Sequence, residues 1–99
     1  MYRVVILPDA KRDIQEAALW YNEQQQGLGN RFIRFVRIKV SKVLLYPQLY
    51  SIRYSDVHTA LLDVFPFMIH FTIKENTKTV VIVAVLHTSR NPDLWGDRG

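Results

Sequence analysis

The stretch "TVVIVAVLH", residues 79–87, constrains the fold more than any other part of the chain. It is rich in β-branched residues and apolar on both sides of the strand alternation. A strand with one wet face alternates apolar with polar, so a strand that does not must be covered front and back. Strict alternation sets Val81, Val83 and Val85 on one face and Val80, Ile82 and Leu86 on the other. One layer of helices can shield only one of these faces. The second needs another cover, either the chain's own tail with Trp95 or a bound partner.

The rest of the chain supplies the helical layer and the neighbouring strands. "YRVVIL" is short and β-branched and reads as a strand, joining the sheet at an edge. Pro8 suits the first turn of a helix, where its missing N–H has no intrahelical partner, and Asp9 favours the positive end of the dipole. From there to about Gln24, Ala10, Ile14, Ala17, Ala18 and Tyr21 recur on one face, with Asp13, Glu16, Trp20 and Glu23 away from it. "QQQGLGN" permits a sharp reversal. A second helix then runs from about residue 28 or 30 to 46, stopped by Pro47. Its inner stripe is Leu28, Phe32, Val36, Val40 and Val43, and its outer face carries Arg31, Arg34, Ile38 and Lys42. Two helices joined by a tight glycine turn form an antiparallel hairpin.

The second half changes period. "SIRYSDV" alternates as a strand. "TALLDVFPFMIHFTIK" is a longer strand region broken or bulged at Pro66, with Phe67, Ile69, Phe71 and Ile73 on one face and Met68, His70, Thr72 and Lys74 on the other. The order β-α-α-β-β-β, with helices on one face of a mostly antiparallel twisted sheet, predicts a single α+β domain over residues 1–99.

Composition removes several classes of function. The chain has no cysteine, which excludes disulfides, thiolate-ligated zinc and thiol catalysis. Its three His are too scattered for metal-ligand spacing, and no cofactor is expected. "GLG" follows no strand and precedes no GK[ST], so it is a turn and not a phosphate cradle. Ser51, Ser55 and Ser89 lack an elbow context for a Ser-His-Asp enzyme. The opening "MYRVVILPDAKRD" is too short for a secretory core, and no run could span a bilayer, so a cytoplasmic protein without membrane contact is expected. A net charge of +4 suits a polyanionic or acidic partner.

Two sets of residues could carry chemistry. His87, Ser89 and Arg90 follow the apolar strand, where sites are commonly placed; Arg90 could clamp a phosphate or carboxylate and His87 could move a proton. Arg53, His58 and His70 form the second set. Cleaving RNA through its 2′-OH needs a base, an acid and a cation, which a His pair with an Arg could supply. On these residues alone, the plainer reading of both sets as strand-end or solvated residues comes first. The stripe Arg31, Arg34, Lys42 could track a polyanion or hold an acidic peptide, and Trp20 could anchor an interface.

Taken together, "LPDAKRDIQEAALWYNEQQQGLGNRF", "YPQLYSIRYSDV", "ALLDVFPFMIHF" and "VVIVAVLHTSRNPDLW" resemble the RelE/ParE superfamily of bacterial toxins from type II toxin–antitoxin systems, most closely its ParE-like, "plasmid stabilisation" branch. The resemblance runs from about Val4 to Trp95. It implies the β-α-α-β-β-β fold, a toxin that arrests growth, and a cognate antitoxin whose extended, partly helical segment wraps the toxin. By that analogy Trp20, Arg31, Arg34, Lys42 and Trp95 contact the antitoxin. RelE-like members cut mRNA in the ribosome with basic side chains on the sheet, whereas ParE-like members inhibit DNA gyrase and lack that set. Here "DVHTALLDVFPF" has His58, Thr59, Asp63 and Val64 where several Arg or Lys commonly precede "FPF". A sheet short of cations stabilises a pentacoordinate phosphate poorly, so gyrase is the expected target. The alternatives are a ribosome-dependent nuclease using His58, His70, His87, Arg53 and Arg90, and an inactive toxin-derived binding module.

Overall fold

The computed structural model describes residues 1–89. Its elements are β1 (Arg3–Ile6), α1 (Pro8–Gln24), α2 (Leu28–Leu45), β2 (Ile52–Tyr54), β3 (Val57–Leu61), β4 (Phe67–Lys74) and β5 (Thr79–His87), with short 3₁₀ turns at Pro47–Leu49 and Glu75–Thr77. The sheet order is β1-β5-β4-β3-β2. β1 runs parallel to β5 at one edge, and every other pairing is antiparallel. The α+β class and the hairpin on a mostly antiparallel sheet hold. The strand count does not: the region read as one interrupted strand is two, β3 and β4, paired as Ala60↔Ile69 and Leu61↔Met68.

The interruption has a local cause. Phe65 N–H donates to the Asp63 carbonyl and Phe67 N–H to the Phe65 carbonyl, both at 2.8 Å, while Leu62 N–H reaches the Phe67 carbonyl at 2.9 Å. Pro66 has no N–H to give a ladder. Val64 takes φ 73°, a left-handed conformation that a β-branched side chain rarely adopts. Buried aromatic rings hold the turn in that shape. Phe65 sits edge-on to Tyr21 of α1 (4.9 Å) and to Phe32 of α2 (5.3 Å). The Lys39–Asp63 ion pair, at 3.7 Å, adds a polar tie from α2.

The hairpin closes through its glycines. Gly27, at φ 89°, ends the connection in a left-handed conformation. Gly29 lets the helices touch: a Cβ there would lie 2.1 Å from the Ala18 carbonyl oxygen. Its N–H instead donates to Asn22 Oδ1 at 2.7 Å.

The main core lies between hairpin and sheet. Ala10, Ala17, Phe32, Val36 and Val43 meet Ile69, Phe71, Val80, Ile82 and Val85. A smaller cluster on the opposite face gathers Val57, Val83, Ala84 and Leu86, with Leu7, Tyr54 and Met68 around it. The strict alternation expected for β5 is broken by a β-bulge. Phe71 pairs with Ile82 but His70 with Ala84, leaving Val83 as the extra residue. The phase shifts there, so Val80, Ile82 and Val85 face the helices, while Val83, Ala84 and Leu86 face away. All six are buried within the single chain. A partner is therefore not needed to cover the second face of β5, which the chain buries by itself.

Opposite the bulge end, a polar cluster ties the start of β1 to the β4–β5 connection. Tyr2 Oη donates to Glu75 Oε1 at 2.7 Å and Gln48 Nε2 to Glu75 Oε2 at 2.9 Å, and Gln48 also contacts the Tyr2 hydroxyl. The Tyr2 and Gln48 hydrogen bonds, with Lys78 nearby, hold the Glu75 carboxyl below its ordinary value. A lowered folded value means the contribution is complete above the ordinary carboxyl range and is lost as pH falls through the folded value. Replacing Glu75 with Gln should thus flatten the acid limb of stability. Urea midpoints followed from about pH 7 down to about pH 3 should fall more steeply for the wild type than for the variant.

Phe71 is fully buried, with Tyr50 edge-on and His58 stacked on its ring. Phe71→Ala should cost about 3–5 kcal/mol in urea unfolding, as for other large-to-small changes in packed cores. A loss below about 0.5 kcal/mol would be the size of a surface change and would contradict this packing.

Candidate functional site

β1 is shorter than β5, and this difference shapes the surface at the strand end. The β1–β5 ladder ends where Leu7 N–H donates to the Ile82 carbonyl at 3.0 Å, after which the chain turns into α1. Past that point α1 replaces β1 as the neighbour of β5. Asp13 accepts the Val85 N–H on Oδ2 at 3.0 Å, as a strand carbonyl would. The sequence pattern set Asp13 on the wet side of α1, yet it stands three residues after Ala10 and four before Ala17, both buried. That spacing was the signal for an inward-facing carboxylate.

Two adjoining hollows flank this contact. One, of about 230 Å³, is lined by Asp13, Glu16, Ala17, Phe67, Val85, Leu86 and His87. The other, of about 400 Å³, is lined by Ala17, Trp20, Tyr21, Pro66, Phe67 and His87 and is almost wholly apolar. Trp20 is 57% exposed at its rim, edge-on to Tyr21 at 5.1 Å. Burial pushes the Tyr21 phenol above its ordinary value. His87 joins the two hollows. Its ring stands edge-on to Phe67 at 5.3 Å. Nδ1 accepts the Ser89 N–H at 3.1 Å and lies 2.8 Å from Ser89 Oγ. An accepting Nδ1 puts the proton of the neutral ring on Nε2.

The other candidates do not gather here. His58 lies on β3 and stacks on Phe71 on the helix side of the sheet. Its Nδ1 is 2.6 Å from the Tyr50 carbonyl, which can only accept, so Nδ1–H is the donor. His70 is fully buried on the opposite face, with its Nδ1 3.1 Å from the Tyr54 hydroxyl. His58 and His70 are thus separated by the sheet itself. Along β4, His87 pairs with Phe67 and His58 with Phe71, a separation of four residues, or about 13 Å. Arg53 lies on β2, at the edge strand farthest from β5. Among the described residues no three of the His, Asp and Glu side chains converge to hold a metal ion. Arg90 and Trp95 lie outside the described residues.

Arg31, Arg34 and Lys42 are exposed on the outer face of α2, with Ile38 between them. The Arg31 guanidinium stands 5.7 Å from the Phe35 ring centroid. Among the described residues no helix is long and apolar enough to cross a membrane.

A helical hairpin on one face of a β1-β5-β4-β3-β2 sheet is the fold of RelE/ParE-type toxins. The toxin fold is shared with a structure of the chromosomal ParDE TA system from P. aeruginosa (TM-score 0.77, 15% identity, covering 88% of this chain and 96% of that one). It is also shared with the intact E. coli RelBE toxin–antitoxin complex (TM-score 0.68, 15% identity, 91% and 100% covered) and the M. tuberculosis RelBE2 complex (TM-score 0.62, 18% identity, 87% and 96% covered). Over residues 4–92 the sequence matches the family described as the ParE toxin of type II toxin-antitoxin system, parDE, and the chain belongs to that family. No curated protein matches the sequence.

The Asp13 contact is open to measurement. Asp13→Ala leaves the Val85 N–H without its acceptor and should cost about 1–3 kcal/mol in urea unfolding. Asp13→Asn keeps an acceptor oxygen and should cost less. Equal losses for the two would mean that the negative charge, and not the bond to Val85, is what matters.

Proposed function

We propose that this toxin arrests growth by binding a macromolecular target, with DNA gyrase the expected one, and that an antitoxin neutralises it. The observation that supports a non-hydrolytic mode is the scatter of the titratable side chains. RNA cleavage needs a base, an acid and a cation around one phosphate. Here His58 and His70 occupy opposite faces, His58 spends Nδ1–H on a backbone carbonyl, and His87 stands at the far end of the sheet. Membership of the ParE family and the likeness to ParDE and RelBE structures support an antitoxin as partner.

The reading has a direct cellular test. The protein is induced, mRNA 5′ ends are mapped by primer extension, and plasmid supercoiling is followed on gels. Loss of supercoiling or linearised DNA, without new codon-linked cuts, is the expected outcome. New cuts abolished by His87→Ala would instead establish a RelE-type nuclease. Unimpaired growth would leave a binding module that has lost toxicity.

A further inference from the structure

The space beside His87 is an aromatic hollow with a negative end, in a chain whose net charge is +4. Its wall is built in edge-to-face steps. Trp20 meets Tyr21 at 5.1 Å and 80°, Tyr21 meets Phe67 at 6.1 Å and 62°, and Phe67 meets His87 at 5.3 Å and 76°. Rings at such angles do not stack flat, and with Ala17 and Pro66 they line a space of about 400 Å³. The adjoining hollow of about 230 Å³ shares Ala17, Phe67 and His87 and adds Asp13 and Glu16. Asp13 is tied to its place by the Val85 N–H. Glu16 is exposed and joins none of the ion pairs among the described residues. No Lys or Arg among the described residues lines either hollow.

Such a lining selects what can enter it. Carboxylates repel the phosphates of a nucleic acid, whereas aromatic faces and carboxylates both attract a cation. The apolar part of the hollow takes the hydrocarbon stem that carries that cation. The rim adds a reason to expect a protein. Pro66 belongs to the turn that holds Val64 at φ 73° and 71% exposed, and Trp20 is exposed on the side of α1. An exposed Trp beside a desolvated pocket is a common anchor of protein interfaces. A small amine would fill the hollow and leave Trp20 and Val64 in water.

We infer that this hollow grips the toxin's protein target by one basic side chain, an arginine or a lysine. The stem lies against Trp20 and Phe67, the positive head meets Glu16, and apolar surface of the target covers Val64. The inference rests on the proposed arrest by target binding and adds where the target is held and what chemistry it presents.

The test uses the full-length chain, induced in cells for colony counts and purified for binding to DNA gyrase as the probe. Trp20→Ala and Glu16→Lys should each restore colony counts at least a hundredfold and weaken gyrase binding at least tenfold, with cooperative urea unfolding retained. Glu16→Gln removes the charge without reversing it and should fall between Glu16→Lys and the wild type. Asp56→Lys makes the same charge reversal at the far edge of the sheet and should arrest growth as the wild type does. Arrest and binding unaltered by Trp20→Ala and Glu16→Lys would overturn the inference while leaving arrest by target binding in place. Relief by Trp20→Ala but not by Glu16→Lys would do so too, because the occupant would then be apolar and not basic. A wild-type dimer in sedimentation that Trp20→Ala dissociates would assign the hollow to a second copy and overturn it equally. Failure of the wild type to arrest growth or to bind gyrase would instead overturn the proposed function, and the inference with it.

Discussion

The burial of β5 on both faces is the constraint from which the rest of this structure follows. It is the only strand in the described sheet with a parallel neighbour on one side and an antiparallel one on the other. A parallel neighbour needs a crossover, and the α1–α2 hairpin lies between β1 and the rest of the sheet in sequence. Covering β5 and making that connection are therefore one structural act. Apolar side chains on both faces of a single strand are driven out of water twice over, at about 25 cal/mol for each Å² buried. Replacing one of them with a polar residue would disturb a cluster on either side, with little chance of relaxation in a packed interior.

Much of this was legible in the chain because it depends on local periodicity. The apolar rows of α1 and α2, the glycine turn, the two-sided strand and the shared face of Phe67, Ile69, Phe71 and Ile73 all follow from spacing. What was not legible depends on long-range placement. A bulge at Val83 leaves no mark in "VVIVAVL", because every residue there is apolar and either phase looks equally buried. The break between β3 and β4 was visible at Pro66, yet the turn begins near Leu62, where aromatic packing and not backbone preference holds Val64 at positive φ. Asp13 was missed because a carboxylate reads as solvated until a strand end without a partner is put beside it.

The candidate site shows the same division. Residue types suggested a basic catalytic group, and three His with two Arg were available. Among the described residues, sheet geometry keeps His58, His70 and His87 apart. Neighbouring positions on one strand alternate faces, and His70 directly precedes Phe71, whose ring His58 covers on the helix side. No adjustment of side-chain rotamers brings His58 and His70 together through a hydrogen-bonded sheet. His87 shares the helix side with His58 but stands two strands away, beside α1 and the exposed Trp20. What the fold does bring together at His87 is an apolar hollow with carboxylates at one end.

Among the described residues the exposed positive charge of α2 is spread along the helix and not gathered at one point. A pentacoordinate phosphate needs cations within a few ångströms of one point, inside a site that excludes water. The exposed cations of α2 are strung along it instead, and from Arg31 to Lys42 the rise is about 16 Å. Such a row gives little stabilisation to any single point, because solvent screens charges on an exposed helix face. It suits a partner whose negative charges are also distributed along its length, where each contact is weak and the sum depends on register. The apolar groove beside Arg37 is a different kind of surface, where the strength of any contact comes from area removed from water. Charge along the helix face and apolar area in the groove are separate physical terms, and only the first weakens as salt is added.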